Sequence, residues 1–324
     1  MLFFYTPGFQ WIGQIPSAFY NPPLFSPAFF FQGFPPAETF LVLDILVLVS
    51  ILGILLGVRA RLFTRLFVVF SVIGYSFQYS LGKIDHNILL LVMLACMSFS
   101  GWGTQLALVP DKKKASDSLQ KSVALLAVLL CFGFFTAGFE KALNWLNVDL
   151  SRSGSAFWYQ SGFYAMGRTH LLAPLGEKIP LFVFKLMDYC AVLFELIPFV
   201  CLLLSRRAWI AWLSIACIFH LVNLLLLNIP FFLQAIIYLA FLDYTRLYSF
   251  VSVRPKLITS VFLIAGAGFF IRMYDLFMQQ SSTILFVSDQ AIEVSLWIYL
   301  FGWILIVIGF AKIGFSKPLN ALPK

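Results

Sequence analysis

The chain has 324 residues, of which 61% are hydrophobic and 11% are charged, and its formal net charge is +8. Soluble domains average ~45–50% apolar and ~25% charged residues, and a water-soluble globule of this size cannot bury so much apolar surface. The composition therefore excludes a soluble enzyme, a nucleic-acid-binding domain and a disordered chain. The basic residues lie in short clusters between apolar runs, which is typical of a polytopic membrane protein. Membrane lipids are the expected partners, and nucleic acid is not.

Residues 1–37 form an aromatic, proline-rich segment that contains no Lys or Arg. A secretory signal peptide needs a basic start and a continuous apolar core, and the prolines prevent a long helix. We therefore expect an outer, interfacial segment that lies on the membrane surface. A second role, the capping of a cavity, stays open.

Nine apolar runs follow, and a membrane-spanning helix needs roughly 17–25 such residues. They lie at about 39–58, 66–82, 88–109, 122–142, 179–204, 208–228, 229–243, 257–276 and 294–311. The run at 229–243 is short and contains a proline near its start, so a re-entrant or strongly tilted segment is the alternative to a full crossing. The sequence predicts an all-α, polytopic helical membrane bundle of about nine spans, with eight as the alternative. Residues 38–245 would form the membrane core, and residues 246–324 would add two further spans and a basic tail.

The basic residues predict the orientation of the chain in the membrane. Most of the 22 Lys and Arg residues fall in alternate connections, namely 59–65, 110–121, 205–207, 243–256 and the C-terminal tail. The positive-inside rule makes these connections cytoplasmic, which places the N-terminus outside and the C-terminus in the cytoplasm. The expected location is the cell membrane, as a multi-pass protein, and the pattern is typical of a bacterial cytoplasmic membrane.

Five ionisable or polar side chains interrupt the fifth and sixth runs. Lys185, Asp188 and Glu195 share one helix face, and Lys185 and Asp188 have the i,i+3 spacing of an ion pair. His220 and Asn223 share a face of the next span, at a depth similar to that of Asp188. Such groups are costly inside a membrane and usually face a cavity or a partner. Two interpretations stay open: a polar cavity, and a structural pair that fixes helix packing.

A second candidate site lies at the outer end of the fourth span. Small residues such as Gly138 permit close helix approach there, and Glu140 and Lys141 follow where the apolar sequence ends. The alternative is an interfacial anchor, with Lys141 extended toward water and Trp145 in the aromatic belt. His86 stands just before the third span, where a capping or surface role is the alternative to a catalytic one.

The outer connection at about 143–178 is the longest between spans. Its segment 161–172 has the aromatic anchors of a surface helix. This connection is interpreted either as a lid over the polar stripe or as an interfacial helix.

The cysteines give no sign of a metal site or a disulfide framework. All five lie inside apolar runs, at positions 96, 131, 190, 201 and 217. The sequence contains no CxxC motif and no Cys/His group at zinc-ligand spacing. We therefore expect small apolar packing residues and no bound metal.

Several stretches together resemble the HTTM family, the transmembrane module related to vitamin K-dependent gamma-carboxylase. They are Gly82–Leu89, Phe135–Trp145, Glu195–Arg207 and His220–Phe241. The first resembles the loop-plus-histidine segment of the family, and the second resembles its stretch of aromatic, small and basic residues that ends in Trp. The last two resemble its Glu…Pro…Arg and His…Ile…Phe-Pro stretches. The resemblance covers residues 40–245, about two thirds of the chain.

This resemblance implies catalytic roles for two residues. Lys141 falls on the lysine of the family and would be the base, and His86 would be its hydrogen-bonding partner, acting on a reduced vitamin K or another quinone. The charge pattern independently places both residues at the outer face. Two departures argue against peptide carboxylation as such. Glu140 stands where the carboxylase has a second lysine, and only two spans and a tail follow where the carboxylase has a large extramembrane domain.

We therefore expect an HTTM-like integral membrane protein with an outward-facing cavity that a lipid or quinone can enter. Its lining would include Glu140, Lys185, Asp188, Glu195, His220 and Asn223. The expected activity is a quinone-coupled or carboxylase-related modification of an exported peptide or protein. A non-enzymatic membrane binding, accessory or immunity subunit is the alternative, so enzymatic activity itself stays open. A DoxX-type quinone redox subunit would have about half as many spans, and a transporter is disfavoured because no inverted repeat is apparent.

Overall fold

A computed structural model describes residues 8–82, 88–105, 107–112, 118–242 and 289–311, together with 256, 259–260, 262–264, 266–268, 270 and 274. The regular secondary structure of these residues is helical, with no β-strand beyond one isolated bridge between Val58 and Val109. The principal helices are α1 (Ala37–Leu56), α2 (Ala60–Gln78), α3 (Ile88–Met97), α4 (Ser118–Trp145), α5 (Gly154–Gln160), α6 (Leu181–Leu196), α7 (Pro198–Leu204), α8 (Arg206–Leu227), α9 (Phe232–Leu239) and α10 (Asp289–Gly309). Short 3₁₀ or π helices occupy Gln10–Gln14, Ser17–Phe19, Pro27–Phe30, Tyr79–Leu81, Ser161–Ala165 and Ala173–Lys178.

Four helices of the described residues are long and apolar enough to cross a membrane: Ala37–Leu56, Ala60–Leu81, Leu119–Trp145 and Arg206–Leu227. The count becomes five if α6 and α7 form one span that bends by 45°. The structure thus confirms the all-α fold class and is consistent with a membrane protein. The number of nine spans and the orientation of the termini stay predictions.

Three predicted runs differ in detail from the helices. The run at 88–109 contains a helix only as far as Met97, with turns after it. The run at 179–204 breaks at Pro198, which has no N–H for the helical ladder and starts a new helix instead. Within 229–243, α9 has eight residues, fewer than a crossing needs, which favours the re-entrant or tilted alternative. Half of the residues in the run at 257–276 lie outside the described residues.

The contacts within the chain divide it into two compact units. One comprises Met1–Leu126 and Tyr244–Leu285, and the other comprises Ala127–Asp243 and Phe286–Lys324. The candidate site residues other than His86 belong to the second unit. The predicted division at residues 37 and 245 stays a prediction.

The first unit is built on the hairpin of α1 and α2. Helix α1 begins after Pro36 with Glu38 in its first turn, a favourable position for a negative charge, and it ends at Gly57 in the left-handed conformation. Gly53 lets the Phe63 ring lie directly against α1, because a methyl group there would overlap the ring. The two helices consequently approach each other closely at this point.

The N-terminal segment is fastened to this hairpin rather than only resting on a surface. Phe9 is fully buried against Gly74, and its ring packs edge-on against Tyr75 at 5.4 Å between centroids. The backbone N–H groups of Phe9 and Gln10 donate to the carboxylate of Asp44 on α1, at 2.8–3.1 Å. Sequence reasoning missed Asp44, although a carboxylate inside an apolar run was a usable signal.

The second unit packs around α8 and the aromatic residues that face it. The Ser205 hydroxyl accepts the N–H of Ala208 at 3.1 Å and caps the start of α8. The rings of Phe194 and Trp212 stack at 5.4 Å, and the Trp212 indole N–H donates to the Phe194 carbonyl. These contacts join α6 to α8.

We predict that Asp44→Ala releases the N-terminal segment. The substitution leaves the buried Phe9 N–H and the part-buried Gln10 N–H without their acceptor, which costs roughly 1–3 kcal/mol for the buried donor. Hydrogen exchange of the Phe9–Gln14 amides in nanodiscs should therefore accelerate strongly. Glu38→Gln, an exposed acidic residue of the same helix, is the matched control and should leave exchange unchanged. Equal protection in Asp44→Ala would contradict the anchoring role.

Candidate functional site

Lys141 and Glu195 form an ion pair between α4 and α6. The Lys141 ammonium donates to Glu195 Oε1, and the lysine and glutamate side chains are 29% and 6% exposed. Gly138 makes the pair possible, because a methyl group at that position would come within 2.8 Å of Glu195 Cβ. The close approach predicted from the small residues is confirmed, and it brings a carboxylate to the lysine from a different helix.

The pair leaves hydrogen-bonding capacity unused. Among the described residues, Glu195 Oε2 is buried and accepts no hydrogen bond, and a lysine ammonium has three donors, of which the pair uses one. The Lys141 Nζ lies 5.5 Å from the centre of the Trp145 ring, at cation–π distance. The site therefore offers one buried acceptor, a partly exposed cation and an aromatic wall, and we call Lys141, Glu195 and Trp145 the outer-end site.

Lys185 and Asp188 form the predicted i,i+3 ion pair, at 4.0 Å, and both are buried. Lys185 Nζ also donates to the Trp145 carbonyl and to Asn147 Oδ1, both at 2.9 Å. Asp188 accepts the backbone N–H groups of Gly154 and Ser155, at 3.0 and 2.7 Å. These bonds tie the connection between α4 and α5 to α6, so the structural interpretation applies to this pair.

His220 has a different set of partners from Asp188. Its Nε2 lies 2.7 Å from the Tyr238 hydroxyl, and its ring stacks on Trp303 at 5.4 Å between centroids. The Trp303 indole N–H donates to the Pro230 carbonyl. Their hydrogen bonds therefore assign Asp188 and His220 to two separate polar clusters, one at the connection after α4 and one at α9 and α10.

Of the three remaining candidate residues, the structure describes two, Glu140 and Asn223. Glu140 is exposed, and its backbone carbonyl accepts the Asn144 side-chain amide, so the acid that meets Lys141 is Glu195 and not its neighbour in sequence. Asn223 is half-buried, and its backbone carbonyl accepts the Ile229 N–H beyond the end of α8. His86 lies outside the described residues.

The long connection between α4 and α6 contains a helix that overlaps only the first part of the predicted segment 161–172. The predicted boundaries are wrong: α5 begins at Gly154, where the Ser153 hydroxyl accepts the Ala156 N–H, and its π-helical continuation ends at Ala165. Gly167 then adopts the left-handed conformation. The Tyr164 hydroxyl donates to Glu177 Oε1, and this bond to a carboxylate raises the pKa of Tyr164. Of the predicted segment, this connection exposes Tyr164, and before the segment it exposes Phe157 and Trp158.

An apolar groove of about 660 Å³ lies in the first unit, between α1, α2 and the segment 31–36. Thr39 supplies the single polar side chain of its lining. This lining suits a hydrocarbon chain, and among the described residues it includes no charged side chain. In the described part of the chain, no three His, Cys, Asp or Glu side chains converge as metal ligands do.

Comparison of the chain with protein-family models, with curated proteins and with solved structures finds no match. The functional proposal therefore rests on the geometry of the site, and the likeness to the HTTM family remains a resemblance.

We predict that Lys141 and Glu195 are energetically coupled. In a double-mutant cycle of Lys141→Met, Glu195→Leu and the double variant, each single change leaves an uncompensated charge, whereas the double change removes both. The coupling free energy should be roughly 1–3 kcal/mol, measured by unfolding in detergent. The same cycle on the exposed residues Glu177 and Lys178 is the control and should be additive. Additivity at 141 and 195 would contradict the pair.

Proposed function

We propose that the chain is an HTTM-like integral membrane protein of the cytoplasmic membrane whose outer-end site binds the polar head of a lipid-soluble quinone. In this proposal the chain crosses the membrane about nine times, with its N-terminus outside and its C-terminus in the cytoplasm. The observation that carries the proposal is the buried Glu195 Oε2, which has no hydrogen bond among the described residues although it lies beside a partly exposed cation.

The donors and acceptors of the site favour the reduced form of such a ligand. A hydroxyl can donate to Glu195 Oε2 and accept from the Lys141 ammonium at the same time. A quinone carbonyl can only accept, so it would leave a buried carboxylate oxygen unpaired, at a cost of roughly 1–3 kcal/mol or a factor of about 5 to 150 in affinity. The Trp145 ring adds an aromatic surface on which a ring can stack.

The chemistry follows from the same groups. Glu195 Oε2 is a proton acceptor for a bound hydroxyl, and Lys141 stabilises the negative charge that develops on the oxygen when the proton leaves. His86, by resemblance, would assist Lys141. The enzymatic form of the proposal is a quinone-coupled or carboxylase-related modification of an exported peptide or protein.

A non-enzymatic accessory or immunity subunit is the second candidate. It is favoured by the hydrogen bonds of Lys185, Asp188 and His220, three predicted cavity residues that bond to groups of the fold itself. In that case the polar side chains would stabilise helix packing, and Lys141→Ala would change stability and partner binding in proportion to each other.

We predict that a quinone co-purifies with the protein in mild detergent. Solvent extraction and mass spectrometry should find near-stoichiometric ligand in the wild type and at least about fivefold less in Lys141→Ala and Glu195→Gln, the factor set by one lost hydrogen bond. His86→Ala should show the same loss if His86 contributes.

Lys178→Ala and Glu177→Gln are the matched controls, because they change the same charges at exposed positions. Both should retain the ligand, and titration should show tighter binding of the reduced form. A folded wild type without enriched quinone would contradict the proposal and favour the accessory subunit.

We predict the orientation of the chain from the positive-inside rule. A membrane-impermeant maleimide should label Ser151→Cys in intact cells, whereas Lys112→Cys should react only after the cells are opened. The unsubstituted chain, with its five native cysteines, gives the background. Labelling of Lys112→Cys from outside would overturn the proposed orientation.

A further inference from the structure

We infer that Lys185, Asp188 and Gly154 are positioning residues that hold Trp145 as a wall of the outer-end site. This inference rests on the proposed function of that site, and it assigns to the buried pair of α6 a role beyond packing. Trp145 would contact the ligand, and the three other residues would act through it.

The backbone of Trp145 is held by a cation. Trp145 is the last residue of α4, where carbonyl groups lack partners within the helix and attract positive charge. Lys185 Nζ donates to its carbonyl at 2.9 Å and also binds Asn147 Oδ1, two residues further on. Lys185 is 1% exposed, so water has little access to its ammonium, and Asp188 lies 4.0 Å away.

The indole ring of Trp145 is held by a second contact. Gly154 packs directly against the ring, and a methyl group at residue 154 would overlap the indole. The Gly154 N–H donates to Asp188 Oδ2, which fixes the glycine at this place. The same ring lies 5.5 Å from Lys141 Nζ. The contacts therefore connect Asp188 to Gly154, Gly154 to Trp145, and Trp145 to Lys141. Helix α6 carries both Asp188, where this series begins, and Glu195, which pairs with Lys141.

Gly154→Ala tests this chain of contacts without changing any charge. The added methyl group should displace the indole and expose Lys141. The acylation rate of Lys141 by a water-soluble amine reagent, read by mass spectrometry against Lys178, should rise about two- to fivefold, as expected for the loss of one cation–π contact. Gly162→Ala is the matched control, since a methyl group there meets its nearest atom at 3.4 Å and should leave the rate unchanged.

Two further variants keep the test decisive if Gly154→Ala folds poorly. Lys185→Met should raise the acylation rate of Lys141 in the same way. Lys185→Arg should keep the rate at the wild-type value, because the arginine retains a donor for the Trp145 carbonyl. In a Trp145→Leu background, adding Gly154→Ala should have no further effect if the glycine acts through the indole. An unchanged rate in folded Gly154→Ala or Lys185→Met would overturn the positioning role.

The readout also separates this inference from the function on which it rests. Acylation of Lys141 needs no ligand. A raised rate in the variants together with a wild type that carries no quinone would therefore support the positioning of Trp145 and contradict quinone binding. If the wild type does carry quinone, Gly154→Ala should lower the retained amount about two- to fivefold through the displaced ring. Retained quinone and an unchanged rate in a folded variant would reject the positioning role alone.

Discussion

The interior of a bilayer provides no hydrogen-bonding partners, so polar groups carried on a membrane helix have to be satisfied by the protein. Helix α6 shows the consequence most directly, because it places Lys185, Asp188 and Glu195 among apolar residues. The first two are satisfied by backbone groups at the end of α4 and the start of α5. The course of the chain after Trp145 therefore depends on the charges of a helix that comes later in the sequence.

The same arrangement occurs in both units. Asp44 on α1 accepts the N–H groups of Phe9 and Gln10, at the start of a 3₁₀ helix, and Asp188 on α6 accepts those of Gly154 and Ser155, at the start of α5. An ionised carboxylate at a helix N-terminus forms charge-assisted bonds and also faces the positive end of the helix dipole. In each unit, an aspartate of a long apolar helix thus fastens a short helix that does not span the membrane.

Glu195 differs from the two aspartates in one respect that matters for function. Asp44 and Asp188 bind backbone amides through both oxygens, whereas Glu195 uses one oxygen for Lys141 and buries the other without a hydrogen bond among the described residues. A carboxylate that completes its hydrogen bonds within the fold has no oxygen left to bind a ligand. A buried acceptor with spare capacity beside a partly exposed cation is what a binding site for a hydroxyl-bearing ligand requires.

The sequence alone predicted the membrane class and determined the helical fold, because composition and the length of apolar runs do not depend on which helices meet. It also predicted the bond between Lys185 and Asp188, since one turn of one helix brings them together. Only the tertiary structure decided that Lys141 pairs with Glu195, 54 residues away, and that Asp44 holds the N-terminal segment. Those contacts depend on how closely separate helices approach, which local spacing along the chain does not specify.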